Sequence, residues 1–427
     1  MNKIISKPYI EMTKKVIENC KKTNIWKIEP DCSSATYFLA LGALQCKKVI
    51  FKDLKKDLTQ GDVNFYKILC KLGCKDLKKK YVAIQGVGYK KLKRPVKNEN
   101  DTWIINLEDM PDTAMTLAVI CSFIKGKTRI TGLSTLKYKE CNRIQALYNE
   151  LTKIGIECTK GSDYLEIDGN YEKIKNNIVF HTYRDHRMAM SFFLYKIIIK
   201  NMIIMDPLCV NKTYPNYYKD FISAYNDKEI SFKLPASKSD TNRKLLLASL
   251  STRLIKLKNI LYCDDTEHMM NGLQELGIKM KVINHNIEIQ GNYNCVFLYD
   301  NKELFIGNSG TSLRFLAIYS ILAIHNNYDI TFICDDRMRE REILPLLSIL
   351  KQFNVNFEYN KKDFLLKIKG KRNFKPQVDI LKIDCSKSSQ FLSSVLMCKK
   401  FLNIGEIKIQ KLSILFRLKY FIINIVK

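Results

Sequence analysis

Three stretches of the chain place Arg or Lys beside small hydroxyl residues at the expected start of a helix. They are Ser-Lys-Ser-Asp-Thr-Asn-Arg at 237–243, Gly-Asn-Ser-Gly-Thr-Ser-Leu-Arg at 307–314, and Asp-His-Arg-Met-Ala-Met at 185–190. The N–H groups at a helix start and the hydroxyls of Ser and Thr bind phosphate oxygens, and Arg binds an oxyanion through two parallel hydrogen bonds. The three stretches therefore predict a small ligand with several phosphate or carboxylate groups.

The composition is that of an ordinary globular chain. Its 427 residues, 46% hydrophobic and 27% charged, allow two or three domains with ample core. The 14 Cys and the lack of an apolar signal-peptide core in residues 1–8 predict a cytoplasmic protein in a reducing compartment. The most apolar stretch, 412–426, carries Arg417 and Lys419 in its middle, so no membrane span is expected.

The net charge of +28 has two interpretations. A nucleic-acid-binding protein would gather the charge on one face. Here Lys is spread along the whole chain among many Asn, Ile and Tyr, which is the residue set that a base composition rich in A and T produces. We favour this drift together with an anionic substrate, because net charge speaks to solubility and non-specific association rather than to fold.

Helix-like and strand-like segments recur in one order. Residues 112–125 read as a helix, 127–133 as a strand, 140–154 as a helix and 156–167 as a strand hairpin. The same order returns at 242–250, 254–261, 266–276 and 278–289. This predicts a repeating unit of about 60 residues and an α/β (α+β) fold. The clearest boundary lies at 226–229, and a linking strand is expected at 230–234.

Other classes of site find little support in the sequence. Cys70 and Cys74 form the one close Cys pair, and no further zinc ligands are evident near them. There is no Walker loop and no dinucleotide-binding glycine fingerprint. The acids Asp264 and Asp265 fall in the first turn of an expected helix, where simple capping is the preferred interpretation.

Taken together, the three stretches and several further segments resemble the 5-enolpyruvylshikimate-3-phosphate synthase family of the shikimate pathway. The further segments include Arg-Met-Arg-Glu-Arg-Glu-Ile at 337–343, Ser-Lys-Ser-Ser-Gln at 386–390, Ser-Lys-Pro-Tyr-Ile at 6–10, Gln-Gly-Asp at 60–62, Asp-Thr-Ala-Met-Thr at 112–116 and Lys-Glu-Cys-Asn-Arg at 139–143. The UDP-N-acetylglucosamine enolpyruvyl transferases share this chemistry but lack the Ser-Gln and Asp-His-Arg segments.

The segments stand in circularly permuted order, because the family's opening segment begins near Leu234 and its later segments resume at Ser6. The resemblance implies a two-domain inverse αβ barrel of the enolpyruvyl transferase type. It places a phosphoenolpyruvate-side domain at 30–231, the family's C-terminal half. It places a shikimate-3-phosphate-side domain, the family's N-terminal half, at 232–427 with 1–29 docked onto it.

The resemblance also implies the site residues. Catalysis would use Asp112, Glu140 and Lys238. Shikimate 3-phosphate would be bound by Lys238, Ser239, Arg243, Ser388, Ser389, Gln390, Ser6, Asp112 and Lys139. Phosphoenolpyruvate would be bound by Lys238, Gly310, Arg337, Gln390, Arg143, Arg187 and Lys212. The family reaction requires no metal and no organic cofactor, and the protein is expected to be a monomer with small-molecule substrates and neither nucleic-acid nor membrane partners.

Several departures from the family pattern keep two alternatives open. Ala236 and Pro30 replace Gly, Phe315 and Glu342 replace Pro, and Asn142 replaces Asp. The segment between Thr13 and Glu29 is shorter than in the family, and the resemblance stops after residue 410. The alternatives to a working enzyme are a basic nucleic-acid-binding protein and an inactive, rearranged or frameshifted descendant.

Overall fold

A computed structural model of the chain describes residues 7–98, 100–292, 300–363 and 365–410. The chain divides into two compact units. Unit 1 comprises Met1–Glu29 and Ala236–Lys427, and unit 2 comprises Pro30–Pro235. The second boundary, expected after residue 231, lies after Pro235.

Twelve α-helices lie within the described residues. They are α1 (Lys7–Cys20), α2 (Cys32–Gln45), α3 (Phe65–Lys71), α4 (Ala114–Phe123), α5 (Arg143–Lys153), α6 (His186–Phe192), α7 (Tyr217–Asn226), α8 (Lys238–Ser249), α9 (Asp264–Glu275), α10 (Gly310–Ser320), α11 (Leu344–Gln352) and α12 (Gln390–Cys398). Over the same residues, none of these helices has the length and apolar character needed to cross a membrane.

The strands are short. They are β1 (Ile25–Lys27), β2 (Lys48–Lys55), β3 (Lys75–Asp76), β4 (Tyr81–Gln85), β5 (Trp103–Asn106), β6 (Gly126–Thr131), β7 (Glu157–Lys160), β8 (Tyr164–Gly169), β9 (Ile178–Phe180), β10 (Met202–Ile204), β11 (Glu229–Ile230), β12 (Leu254–Lys258), β13 (Lys279–Ile283), β14 (Asn286–Gln290), β15 (Lys302–Gly307), β16 (Ile330–Cys334), β17 (Phe357–Asn360), β18 (Leu365–Ile368), β19 (Val378–Ile383) and β20 (Ile404–Ile409). The linking strand expected at 230–234 is shorter, since β11 ends at Ile230.

Unit 2 is built from a repeated sheet. Its sheets have the strand orders β11-β2-β4-β3, β5-β6-β8-β7 and β10-β9. In each four-stranded sheet a leading strand runs parallel to the second strand, and a hairpin pairs antiparallel with that second strand. Helices α2 and α4 are buried along almost their whole length, as expected of helices at the centre of a unit.

Unit 1 repeats the same plan. Its sheets have the orders β1-β12-β14-β13, β15-β16-β18-β17 and β19-β20. The leading strand β1 comes from the N-terminal segment and runs parallel to β12, with Trp26 opposite Leu257. Each unit has its own apolar core. The predicted repeat of helix, strand, helix and hairpin is therefore confirmed in both units, and with it the mixed α/β fold class.

Candidate functional site

Arg143 is the centre of a buried ionic cluster in unit 2. Its side chain is 1% exposed, and its Nη1 donates to Asp112 Oδ1 at 2.9 Å. Its Nη2 donates to Glu140 Oε2 at 2.9 Å. Its Nε donates to Asp185 Oδ2 at 2.8 Å, and Nη2 also reaches Asp185 Oδ1 at 3.2 Å. These three carboxylates raise the pKa of Arg143 against the lowering that burial would cause, so the guanidinium is firmly charged.

Asp112 collects the remaining cations of this cluster. Lys139 Nζ lies 3.2 Å from its Oδ1, and Arg187 Nη2 lies 3.3 Å from its Oδ2. Burial alone would raise the pKa of Asp112, but Arg187, Lys139 and Arg143 hold it well below its usual range. Asp112 is therefore an ionised carboxylate in this state of the protein.

Glu140 and Lys212 complete the set. Lys212 Nζ lies 3.5 Å from Glu140 Oε1, and both side chains are less than a tenth exposed. Burial lowers the pKa of the neighbouring Lys139. The structure thus brings together Asp112, Lys139, Glu140, Arg143, Arg187 and Lys212, the six candidate residues of this unit, which we call the unit 2 cluster.

The local sequence explains how these side chains are presented. Asp112 sits on a 3-10 turn, Pro111–Thr113, that leads into α4, and helix α4 has no side-chain cap. Asn142 is the N-cap of α5 and accepts a hydrogen bond from Gln145 N at 3.2 Å. Asn caps a helix about as well as Asp does. This departure from the family pattern is therefore compatible with the observed orientation of Arg143.

Asp185 begins the Asp-His-Arg stretch but was not among the expected site residues. It is the N-cap of α6, accepts from Arg187 N at 2.9 Å and binds Arg143 through both oxygens. The Cys141 thiol also donates to it at 3.4 Å. Asp185 therefore fixes the direction of Arg143. The available sequence signal was an Asp directly before an expected helix start and two residues before an Arg.

Asp62 is a second buried carboxylate beside the cluster. Burial, followed by the charge of Asp112, raises its pKa to about 6, although Arg187 and the Ser33 hydroxyl act in the opposite direction. Ser33 Oγ donates a short hydrogen bond to Asp62 Oδ2. Ser33 itself is held at the start of α2 by Asp31, which accepts from Ser33 N at 2.9 Å and Ser34 N at 3.2 Å.

Arg243 is the corresponding buried cation in unit 1. Its Nε donates to Thr13 Oγ1 at 2.8 Å, and its Nη1 donates to Ser239 O at 2.9 Å. Among the described residues, its buried Nη2 has no hydrogen-bond acceptor. Burial lowers the pKa of Arg243 to about 10. A buried guanidinium with an unused donor is suited to an anion.

Thr13 is a contact that sequence reasoning missed. It lies on α1, and its hydroxyl is also 3.0 Å from Ser393 Oγ on α12. Ser6, the candidate residue from the same segment, lies outside the described residues. Among the other candidates, Ser389 is buried and Ser388 Oγ accepts from Gln390 N at 3.2 Å.

Lys238 pairs with Asp265, whose Oδ2 lies 2.7 Å from its Nζ. We expected Asp265 only to cap α9, and that interpretation was incomplete because its carboxylate binds the candidate catalytic ammonium. Its backbone carbonyl also accepts from Ser312 Oγ at 2.9 Å. The pair fixes Lys238 at the start of α8.

Gly310 begins α10 among three cationic and amide side chains. Gln390 bridges this helix start, since Oε1 accepts from Arg314 Nη1 at 2.6 Å and Nε2 donates to Thr311 Oγ1 at 3.0 Å. A Cβ at position 310 would lie 2.7 Å from the guanidinium carbon of Arg341 and 2.9 Å from Arg314 Nη1. A side chain at position 310 would therefore displace the ends of these two Arg side chains, whereas glycine leaves them at the helix start.

Arg337 is the candidate phosphoenolpyruvate-binding residue between β16 and α11 of unit 1. It lies on a 3-10 turn, Asp336–Glu340, and forms a short ion pair with Glu340. Glu342, which stands where the family has Pro, pairs with Lys387. Within the described part of the chain, no group of three or more His, Cys, Asp or Glu is arranged to hold a metal ion.

Comparison with known proteins agrees with these features. The sequence model of the EPSP synthase (3-phosphoshikimate 1-carboxyvinyltransferase) family matches residues 6–221 and 225–419. The 3-phosphoshikimate 1-carboxyvinyltransferase of Buchnera aphidicola subsp. Cinara cedri is 34% identical over 246 residues, which are 52% of this chain and 53% of the relative. The enzyme of that name from Paraburkholderia phytofirmans is 35% identical over 240 residues, 51% of this chain and 54% of the relative. The chain thus spans about half the length of the curated relatives it matches.

Solved structures show the same fold at low sequence identity. An EPSP synthase from Acinetobacter baumannii matches with a TM-score of 0.57 and 13% identity over 89% of each chain. The enolpyruvyl transferase NikO from Streptomyces tendae matches with a TM-score of 0.53 and 10% identity over 90% of each chain. These likenesses establish the two-domain enolpyruvyl transferase fold. Because the family model covers nearly the whole chain, the protein belongs to the EPSP synthase family.

Proposed function

We propose that the protein transfers the enolpyruvyl group of phosphoenolpyruvate to the 5-hydroxyl of shikimate 3-phosphate and releases phosphate. The observation that carries this proposal is the unit 2 cluster. Its six residues lie between positions 112 and 212, yet their charged groups meet in one buried network. The two curated relatives described above are each matched by this chain over about half of their own length, and both carry the name of this activity.

The chemistry is an addition followed by an elimination. The 5-hydroxyl oxygen attacks C2 of phosphoenolpyruvate and loses its proton to a base, while C3 gains a proton from an acid. A proton then leaves C3 and the C2–O bond to phosphate breaks, which restores the enol ether. Asp112 and Glu140 supply the carboxylates for these transfers, and Lys238 supplies an ammonium. Each positioned proton-transfer group is worth about 10²–10⁴-fold in rate.

The cationic side chains serve binding and electrostatic stabilisation. In unit 2, Arg143, Arg187 and Lys212 would bind phosphoenolpyruvate, and Lys139 with Asp112 would contact the shikimate ring. Each of these cations already forms an ion pair with at least one carboxylate of the protein. The substrate anion therefore competes with Asp112 for Arg187 and Arg143. Its arrival would release Asp112 and raise its pKa toward a value useful for proton transfer.

In unit 1, Lys238, Ser239, Arg243, Ser6, Ser388, Ser389 and Gln390 would bind shikimate 3-phosphate. Binding of phosphoenolpyruvate would also involve residues of unit 1, namely Lys238, Gly310, Gln390 and Arg337. The Nη2 of Arg243, which has no acceptor among the described residues, supports this assignment, because a phosphate oxygen is a strong acceptor for a buried guanidinium N–H. Unit 1 is thus the proposed shikimate-3-phosphate side and unit 2 the phosphoenolpyruvate side.

We further propose that the chain is a circular permutation of the family order. Swapped halves would produce two observed features. The family model matches the chain in two separate blocks, and the curated relatives align with it over only about half of their length. The N-terminal segment supports the proposal, because β1 pairs in the sheet of β12 and Thr13 contacts both Arg243 and Ser393. A gene that encodes 229–410 followed by 6–226 should yield a protein with the same substrate affinities.

The deciding experiment is phosphate release from phosphoenolpyruvate with and without shikimate 3-phosphate. Release that requires both substrates supports the enzyme; binding of both substrates without turnover would indicate an inactive descendant. A nucleic-acid-binding protein is not favoured, since the buried Arg and Lys of the unit 2 cluster are paired with carboxylates. Salt-dependent DNA binding without substrate binding would reverse that judgement.

The 13 free Cys among the described residues of the protein support a reducing, cytoplasmic setting. We also propose that the protein is a monomer.

A further inference from the structure

The hydroxyl of Tyr37 is a buried polar group that the proposed chemistry leaves unused. The side chain is 1% exposed, and among the described residues no acceptor is found for its hydroxyl hydrogen. Arg187 interacts with the phenol oxygen through a side-chain hydrogen bond, but a guanidinium can only donate. A buried O–H without an acceptor costs free energy, so native proteins rarely retain one. An acceptor that arrives with a ligand would resolve this cost.

Tyr37 lies beside the unit 2 cluster. On α2 it follows Ser33 by one helical turn, so the two side chains share a face of the helix. Ser33 donates to Asp62, whose charge interacts with Asp112 and Arg187. Burial raises the pKa of Tyr37, and Arg187 and Arg143 are the principal cations that oppose this rise. The phenol therefore stays protonated and faces guanidinium groups.

The ring of Tyr37 is held in place independently of its hydroxyl. It packs edge-to-face on Tyr217, with ring centroids 5.6 Å apart and an interplanar angle of 74°. The Tyr217 hydroxyl has a partner, since it donates to Met190 O at 2.7 Å. Packing thus fixes the direction of the Tyr37 O–H without using it.

We propose that Tyr37 is a substrate-binding residue whose hydroxyl donates to an oxygen of the anionic group held by Arg187. Guanidinium groups carry donors only, so neither Arg187 nor Arg143 can accept the phenol's hydrogen. A phosphate or carboxylate oxygen bound to Arg187 can accept from both residues. The inference rests on the proposed function, because it assigns Arg187 to phosphoenolpyruvate.

The test compares Tyr37→Phe with Tyr217→Phe. Tyr37→Phe keeps the ring packing and removes the hydroxyl, whose hydrogen has no acceptor among the described residues of the free protein. It should leave the urea midpoint of the free protein unchanged or raise it. It should weaken binding of phosphoenolpyruvate, titrated by calorimetry at saturating shikimate 3-phosphate, by about ten- to a hundredfold, the scale of one hydrogen bond to a charged group. The KM for phosphoenolpyruvate should rise more than kcat falls.

Tyr217→Phe is the matched control, because its hydroxyl already has a protein acceptor. It should lower the urea midpoint and leave the affinity for phosphoenolpyruvate unchanged. Unaltered affinity in Tyr37→Phe would overturn the role of Tyr37 while the proposed function stands. A fall in stability as large as that of Tyr217→Phe would also overturn it, in favour of a structural role. A wild-type protein that binds neither substrate would overturn both proposals.

Discussion

Arg143 and Asp112 are 31 residues apart in sequence and are joined by a buried hydrogen bond of 2.9 Å. The bond makes the two groups mutually dependent. The charge of Arg143 can be buried only because carboxylates pair with it, and Asp112 stays ionised only because cations surround it. The same Asp112 also pairs with Lys139 and Arg187. Each cation of the unit 2 cluster therefore has a carboxylate partner before any ligand arrives, but four cations share only Asp112, Glu140 and Asp185. A substrate anion would enter a cluster that keeps a net positive charge.

The first prediction concerns Asp112→Asn. If Asp112 only capped a helix, Asn would preserve stability, because Asn caps a helix about as well as Asp does. The ion pairs change that expectation, because Asn removes the charge that compensates Lys139 and Arg187. Turnover should fall by about two or more orders of magnitude. Unfolding in urea should show a stability loss of roughly 1–3 kcal/mol.

Asp163→Asn is a suitable control for Asp112→Asn. Asp163 lies in the same unit, at the surface, and accepts a hydrogen bond from Ser134 N at 2.6 Å. Asn can accept the same bond, so activity and stability should stay near those of the wild type. Full turnover in Asp112→Asn would assign Asp112 a purely structural role.

The second prediction concerns pH and Asp62. The pKa of Asp62 is raised from its usual 3.8 to about 6, so between these values the folded state retains a proton that the unfolded state has released. The free energy of unfolding should therefore fall as pH rises through this window, by at most about 3 kcal/mol, and then level off. Asp112 affects stability in a lower pH range. Because its pKa is lowered in the folded state, the stability that its ionised carboxylate contributes is lost only in stronger acid.

Asp62→Asn should abolish this fall. The Asn amide oxygen can still accept from the Ser33 hydroxyl, and the group no longer ionises. Denaturant midpoints measured from pH 4.5 to 7.5 should be flatter in the variant than in the wild type, and higher above pH 6. Identical profiles for the two proteins would show that Asp62 titrates near its usual value.

A third prediction concerns ligand-induced stability. Phosphoenolpyruvate with shikimate 3-phosphate should stabilise the protein by about 2.7 kcal/mol at a hundredfold excess over the dissociation constant. Arg187→Gln should lose most of this gain. Arg129→Gln should keep it, because Arg129 pairs with Glu166 across β6 and β8 of the same unit and is not part of the unit 2 cluster. Equal gains in both variants would exclude Arg187 from the binding site.

The fourth prediction tests the N-terminal segment. Thr13→Val removes the oxygen that accepts from Arg243 and contacts Ser393. It should cost roughly 1–3 kcal/mol of stability, since the Arg243 Nε is left buried without its acceptor. Affinity for shikimate 3-phosphate should fall, whereas the exposed control Thr252→Val should change neither quantity. Unchanged affinity in Thr13→Val would mean that Arg243 is oriented without Thr13 or does not bind this substrate.

The sequence by itself determined the repeated order of helix, strand, helix and hairpin. This was possible because apolar periodicity and turn residues are local signals, as in α4–β6–α5 of unit 2. Family resemblance then supplied the candidate residues, residue by residue. It also implied the two-domain enolpyruvyl transferase fold that the solved structures confirm.

Only the tertiary structure decided which candidates meet and what their charges do. Long-range contacts such as Arg143 with Asp185, Lys238 with Asp265 and Arg243 with Thr13 join residues that no local pattern relates. The state of Asp112 likewise follows from three cations that approach from different parts of the chain. Charge and burial depend on distances in space, and chain folding sets those distances.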